Sequence, residues 1–465
     1  MKRSKAQSFT ALALAASFLT LAATPAMAVT ELVAPAGART VVISPASLRS
    51  ILLRSNYGVL ESLNLIHQAK DQVNIARGNL LPRLNIGAML SSISNFGISS
   101  ISFLLPFLLP TNWANLHQSE ALLESQKIGY RLVELNNYAS AYTLYTTMQG
   151  DNAIRDALVS EYNDFVGVRD YLINQQKFIG NVSQEDIDRA DSEVKLSRAN
   201  ISATDEMLVK ERAALREAIA LPLSVNITLS DQAVPASAYE GSNAIALAKR
   251  ISAVAPENTQ IGYLIKAAGE VKFSKEFSFF SGATLNVGVG SSGSPAFNSI
   301  AAGAQFSIGF DYVPNIDLAS DNIANLQIHV RELVAQQAQL AESTLDSIVQ
   351  AKLQVQQTTE AETELRSVFD AEFRKYTLGL TDLLNVLDAE RTVATATATK
   401  AKAQADVDSL RVTFHRELLT DQFASIPGCR IRPGAEEEDK GHFFSKLFNS
   451  KKYVLAIDQA CQPAI

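Results

Sequence analysis

Two periodicities alternate along the chain, and the alternation occurs twice. From about Pro45 to Leu80, apolar residues recur at helical spacing, as at Leu52, Leu60, Leu63 and Ile66, until Leu80-Leu81-Pro82 stops the helix. A period of two follows. Leu84, Ile86, Ala88 and Leu90 alternate with Asn85, Gly87, Met89 and Ser91, and Ile101, Phe103, Leu105 and Phe107 take every second position, which predicts a β-hairpin at about 83–108. The chain then runs without proline from Thr111 to Leu221 and reads as a long helix from Asn112 to Phe178, a turn at Gly180 and a return helix from Asp186. Gly129, Gly150 and Gly167 mark candidate breaks in that first long helix.

The second half repeats the pattern. Residues from Asn243 to Phe273 are helical with an interruption at Pro256. Leu285, Val287 and Val289, and then Ala302, Ala304, Phe306, Ile308, Phe310 and Tyr312, alternate with small or polar residues, predicting a hairpin at about 284–312. From Asn315 to Ile426 there is no proline and a single glycine, Gly379, so a long helix from Asn322 to Tyr376 turns there and returns from Leu383 to Leu419. The entries Asn112-Trp-Ala-Asn-Leu116 and Asn322-Ile-Ala-Asn-Leu326 read alike. Around both turns an aromatic precedes the glycine, and a carboxylate or amide follows it by six residues, Asp186 in one and Asn385 in the other. The expected units are 45–222 and 243–422, joined by a linker at 223–242, with an extended segment at 29–44 and a tail at 423–465.

Composition changes this picture at the N-terminus. Lys2, Arg3 and Lys5 precede an apolar segment from Phe9 to Ala23, and Ala26-Met27-Ala28 is a small-x-small cleavage site, so residues 1–28 read as a secretory signal peptide. Its loss removes three positive charges and makes a chain of formal charge −7 more acidic. Nothing in this balance suits nucleic acid. The tail carries the two cysteines, Cys429 and Cys461, which either remain thiols or close a loop of about 30 residues that stabilises by roughly 3 kcal/mol. The five histidines have no metal-ligand spacing, and no phosphate-binding glycine loop or nucleophile elbow occurs, so neither an enzyme nor a cofactor is expected.

An alternating strand with one apolar face suits a soluble sandwich or, with lipid on the apolar side, an outer-membrane barrel. Two isolated hairpins are too few to close a barrel, whereas strands from several protomers would close one and satisfy every backbone group. Trp113 and Tyr312, at the expected strand ends, suit an aromatic belt at the membrane interface as well as ordinary packing.

With Leu80-Leu81-Pro82, the two hairpin-and-helix units and the two glycine turns, the sequence resembles the TolC-like outer-membrane efflux and type I secretion channels over roughly residues 45–422. That resemblance implies a fold that is mainly α with transmembrane β. It has two structural repeats, and three protomers share a 12-stranded outer-membrane barrel continued by a periplasmic α-helical barrel. It implies a homotrimer in outer-membrane lipid of a Gram-negative bacterium, with helices and tail in the periplasm. Such a trimer is a passive exit conduit that works with a periplasmic adaptor (a membrane fusion protein) and an inner-membrane transporter. At the tip it assigns a charged ring to Asn385 and Asp388, of which Asn385 departs from the acidic pattern, and a latch to Tyr376 and Asp186. Thr381 stands where the family has an arginine. The competing expectation is a periplasmic coiled-coil adaptor or scaffold, which would carry small soluble β domains in place of two hairpins with continuous apolar faces.

Overall fold

A computed structural model describes residues 40–92, 95–180, 182–223, 225–289 and 297–429. The expected signal peptide, most of the extended segment and the tail beyond Cys429 lie outside the described residues. In chain order, β1 (Thr40–Ile43) leads into α1 (Pro45–Ser55) and α2 (Tyr57–Gly78), then β2 (Arg83–Ser92), β3 (Asn95–Leu104), α3 (Pro110–Phe178), α4 (Gln184–Ala218) and β4 (Asn226–Leu229). Next come α5 (Ala244–Val254), α6 (Pro256–Glu276), β5 (Phe280–Val289), β6 (Phe297–Phe306), α7 (Tyr312–Thr377) and α8 (Leu383–Leu418). Short 3-10 turns precede α3 and follow α8.

The helix expected at 45–80 is two helices, because Asn56 leaves helical geometry and its side chain caps α2 by accepting from the Val59 amide at 3.0 Å. Pro256 breaks α5 from α6, as the sequence indicates. The second long helix begins ten residues earlier than expected, at Tyr312. Pro314 falls in its first turn, where an amide has no intrahelical acceptor in any case. Strand β6 accordingly ends at Phe306, and Ile308, Phe310 and Tyr312 are not strand residues. Likewise β3 ends at Leu104, before Leu105 and Phe107.

The long helix α3 runs unbroken for 69 residues, about 100 Å, through all three of its glycines. Gly150 has a packing reason: a Cβ built there would meet the Ala405 Cβ of α8 at 2.4 Å, so glycine permits the closest approach of the two helices. Shorter helices flank α3 in tandem. Arg77 pairs with Glu120 at 3.3 Å and Asn137 donates to Asn56 at 2.9 Å, which lays α2 along the sheet-proximal half. Arg155 pairs with Asp205 at 2.6 Å, which lays α4 along the far half. Where α4 ends, Ser55 Oγ donates to Ile219 O and Asn56 Nδ2 to Ala218 O, both at 2.7 Å, so α2 continues the line of α4. At the matching junction in the second half, Arg416 near the end of α8 pairs with Glu257 at the start of α6 at 2.6 Å.

The largest core surrounds the middle of α3. Tyr138, Tyr142 and Tyr145 are buried there with Ile43, Leu48, Leu52, Leu63, Phe423 and Ile426. The expected linker is not a free connector: β4 within it pairs in parallel with β1, from Thr40 opposite Asn226 to Ile43 opposite Leu229. The stretch after α8 also folds back into this core through Phe423 and Ile426.

The other sheet has the order β2-β3-β5-β6, entirely antiparallel, and leaves β2 and β6 as open edges. Its register aligns positions across all four strands. Leu84 is opposite Phe103, Phe103 opposite Leu285 and Leu285 opposite Ala302; the neighbouring row is Ile86, Ile101, Val287 and Ile300. Between these rows lie Asn85, Ser102, Asn286 and Ala301. Opposed positions in an antiparallel pair share a face, so one face of the sheet carries an apolar sequence pattern throughout and the other a small, polar one.

Gly150→Ala should therefore destabilise the protein by about 1–3 kcal/mol despite alanine's better helix propensity, because the Ala405 Cβ is fixed to backbone and cannot swing aside. Gly167→Ala, where no atom lies within 4 Å of the new methyl, should instead raise stability by up to about 1 kcal/mol. Thermal unfolding of the purified proteins checks both.

Candidate functional site

At the end remote from the sheet, both helical hairpins turn on a glycine in left-handed geometry, Gly180 at φ +72° and Gly379 at φ +73°. The second turn has the paired bonds of a Schellman cap: Gly379 N donates to Tyr376 O and Leu380 N to Lys375 O, each at 2.9 Å. Lys177, Arg374 and Lys375 occupy the last turns of the incoming helices, and Glu185 and Asp186 the first turn of α4, each complementing the helix dipole. Ser183 caps α4 by accepting from the Asp186 amide at 3.1 Å.

The two turns are held together by one small core. Phe165, Val168 and Leu172 of α3, Ile187, Ala190 and Val194 of α4, and Leu383, Val386 and Leu387 of α8 are buried against one another, with Phe369, Phe373 and Tyr376 of α7 packed at its margin. Tyr171 meets Phe373 and Tyr376 edge-on, with ring centroids 5.7 and 6.5 Å apart. Beyond this core the turns present Phe178, Ile179, Leu378 and Leu380 as exposed apolar side chains.

The tip residues singled out by sequence all lie here. Tyr376 is half-buried, and burial followed by the Asp186 charge and Tyr171 raises its phenol. No hydrogen bond joins Tyr376 to Asp186; the Asp186 carboxylate instead accepts from Ser183 Oγ at 2.7 Å. Thr381 is tied to the first turn of α8, its hydroxyl accepting from Asn385 Nδ2 at 2.8 Å, and it also helps to hold the Glu372 carboxyl below its ordinary value, behind Lys375. Asp388 is exposed, 3.5 Å from Arg391. Trp113 and Tyr312 lie at the other end, where helices meet the sheet. Trp113 Nε1 donates to Phe107 O at 2.8 Å, and the Tyr312 hydroxyl donates to Glu276 O at 2.6 Å. Tyr312 joins an aromatic group of Phe273, Phe277, Phe279, Phe280 and Phe306 that sequence reading did not single out, although phenylalanines at 273, 277, 279 and 280 are a dense local signal. Cys429 is in a disulfide, and Cys461, the other cysteine of the chain, lies outside the described residues.

A cluster of charges just above the tip core, from the buried Glu390 and Glu161 to the exposed Arg391, also escaped the sequence reading. Arg366 of α7 reaches Asp164 of α3 at 3.0 Å and Glu390 of α8 at 3.8 Å, and Glu390 is 1% exposed. Arg391, the next residue, reaches the other way to Glu193 of α4 at 2.7 Å. Ser197 Oγ donates to the buried Glu161 at 3.3 Å. Burial pushes Glu390 up to about 8, reinforced by the Asp164 carboxylate, and burial also raises Glu161. The signal was present in the spacing: Glu390 occupies a place on the apolar stripe Leu383, Val386, Leu387, Val393, Ala394, and Glu161 one on the stripe Ala157, Phe165, Val168, Leu172.

This arrangement of a four-stranded sheet, long paired helices and glycine-turned tips is the fold of outer-membrane channel proteins. The chain superposes on the outer-membrane channel OprN with a TM-score of 0.68 at 17% identity, covering 80% of this chain and 89% of that one. It matches the CmeC outer membrane channel of Campylobacter jejuni with a TM-score of 0.66 at 13% identity, covering 82% and 88%. For the outer membrane protein VceC of Vibrio cholerae the TM-score is 0.65 at 14% identity, covering 80% and 95%. No family model matches the sequence, and no curated protein matches it. At these identities the shared property is the fold.

Replacing either turn glycine by alanine should cost about 1–2 kcal/mol locally, since an L-residue is strained at this φ even though no atom blocks a new Cβ. Faster amide exchange across 372–390 in Gly379→Ala, with exchange around the mid-α3 core unchanged, is the expected reading.

Proposed function

We propose that this protein is an outer-membrane exit conduit, a passive channel through which an inner-membrane transporter expels its cargo. The observation that carries this reading is the four-stranded sheet with two open edges and an apolar pattern on one whole face. An open edge presents unpaired amides and carbonyls, which a bilayer does not tolerate. Three protomers joining β2 to β6 would make a closed barrel of 12 strands, with lipid on the apolar face and water on the other. No described helix is long and apolar enough to cross a membrane.

The long helices would extend the pore into the periplasm as an α-helical barrel. The matched lengths of the two halves, 69 and 66 residues for α3 and α7 and 35 and 36 for α4 and α8, suit two repeats alternating around a trimer axis. Trp113, Tyr312 and the neighbouring phenylalanines would form the belt where barrel meets helices. The exposed apolar tip residues Phe178, Ile179, Leu378 and Leu380 suit contact with neighbouring protomers and a periplasmic adaptor. Asp388 would line the tip opening in three copies and favour cations. Tyr376 would restrain the closed tip mainly through its ring, because it meets Tyr171 edge-on at the margin of the tip core and makes no hydrogen bond to Asp186.

Detergent extraction should yield a heat-labile trimer from the outer membrane that forms pores in planar bilayers; release of a soluble protein with the periplasmic fraction would favour the adaptor or scaffold instead. In such pores Asp388→Asn should weaken cation preference and block by divalent ions. Tyr376→Ala should raise conductance well beyond Tyr376→Phe, whose ring keeps its edge contacts.

A further inference from the structure

The charges above the tip do not balance. Among the described residues, Asp164 and Glu161 of α3, Glu193 of α4 and Glu390 of α8 face two guanidinium groups, Arg366 of α7 and Arg391 of α8, with Asp370 and the Lys400-paired Glu362 also acting on Arg366 and Asp388 on Arg391. Glu390 is the most deeply enclosed of these carboxyls, and its Oε2 has no hydrogen-bond partner. Four helices converge on this point without packing equally well. A groove of about 380 Å³, lined by Glu161, Phe165, Glu193, Ser197, Arg391 and Ala394, separates α4 from α8, so at this level their link is the Arg391–Glu193 pair. An unpaired buried carboxylate would be costly there; Asp164 Oδ2 and Glu390 Oε2 stand 3.0 and 3.8 Å from the same Arg366 Nη1, so a protonated Glu390 would join α8 to α3 while Arg366 joins both to α7.

We propose that Glu390, sharing a proton with Asp164 beside Arg366, is a pin that fastens the tip of α8 to α3 and α7, and that losing this proton frees the tip. The direction in pH follows from linkage. Glu390 binds its proton more tightly folded than unfolded, so its stabilising contribution is complete below its ordinary value, near 4.5, and is lost as pH rises through about 8. The tip is therefore firm in acid and loosens in alkaline surroundings. Only the consequence, an alkaline leak, rests on the conduit reading; the pin itself does not.

Amide protection factors of residues 383–394, which correct for the intrinsic pH dependence of exchange, test the pin in the detergent-extracted full chain. Between pH 6 and pH 9 the parent should lose about tenfold in protection, and Glu390→Gln, an isostere that keeps a donor toward Asp164, should lose little. Asp164→Asn removes the carboxylate that helps to raise Glu390 and should move the midpoint to lower pH, which keeps the test open if Glu390→Gln does not fold. Asp151 of α3 and Glu211 of α4 form a second carboxyl pair, Glu211 being pushed up to about 8 by burial and Asp151, so protection around 205–215 should keep its own pH response in the Glu390→Gln protein. Equal loss of protection at 383–394 in parent and Glu390→Gln would overturn the pin. Conductance at pH 6 and 9 is recorded separately: absence of any pore would defeat the conduit reading and leave the protection result standing.

Discussion

The structure depends on α3 remaining one uninterrupted helix. Helices α1, α2, α4, α6 and α8 all pack against it, so its length of about 100 Å fixes the distance between sheet and tip. A proline in its interior would remove a backbone hydrogen bond and bend the rod at a cost of about 3 kcal/mol, and every neighbour would lose register. The absence of proline from Thr111 to Leu221 is thus a structural requirement. Continuity has to come from packing, since hydrogen bonds alone do not hold so long a helix straight. The tandem arrangement of α2 and α4 supplies it, with Asn56 and Ser55 bonding the end of one shorter helix to the start of the other.

A rod of this kind ends in the tip on one side and on the other in a sheet whose sequence alternation puts an apolar pattern on one face. The four strands are joined in one antiparallel register, but β2 and β6 have nothing beside them within the protomer. This incompleteness connects the fold to its proposed setting, in which further strands would pair the open edges and an apolar medium would cover the apolar-patterned face. The aromatic group at Phe273, Phe277, Phe279, Phe306 and Tyr312 marks the level at which the helical part gives way to that sheet.

The strongly periodic parts were legible in the sequence. Period-two runs gave the strands, proline-free runs the helices, and Gly180 and Gly379 the turns, because each is a local requirement of backbone geometry. Short or non-local features were not. Strands β1 and β4 have four residues each, too few to show a period, and they exist because each pairs with the other across the whole of the first unit. Phe423 and Ile426 read as tail until the Tyr138–Tyr145 stretch of α3 is seen to need cover. Gly150 was misread as a break because helix propensity reports on an isolated helix, whereas this glycine answers to Ala405 of α8. At the tip the resemblance, not the residue pattern, drew Tyr376, Asp186, Thr381, Asn385 and Asp388 together, and it did not give their bonds: Asp186 turns to Ser183, and Asn385 to Thr381. The charged cluster was missed because a glutamate on a helix is read as solvated unless its place on the apolar stripe is checked, as Glu390's position between Leu387 and Val393 shows.

That cluster also bears on why the tip is not simply greasier. Leucine in place of Glu390 would extend the apolar stripe of α8, and replacing a buried ion pair by packed hydrocarbon is often stabilising by 1–4 kcal/mol. Such a tip would be held by contacts that fade gradually with separation and favour no particular register. Arg366, Asp164 and Glu390 instead define one arrangement of three helices, and the adjacent Arg391 ties the fourth through Glu193. Once the helices separate, each of these groups regains water, so the cost of opening is bounded. A hydrocarbon core exposed by the same movement would have no such compensation. For a part whose proposed task is to close firmly and still open, hydrogen-bonded charge inside a small apolar core provides a defined closed state without making it permanent.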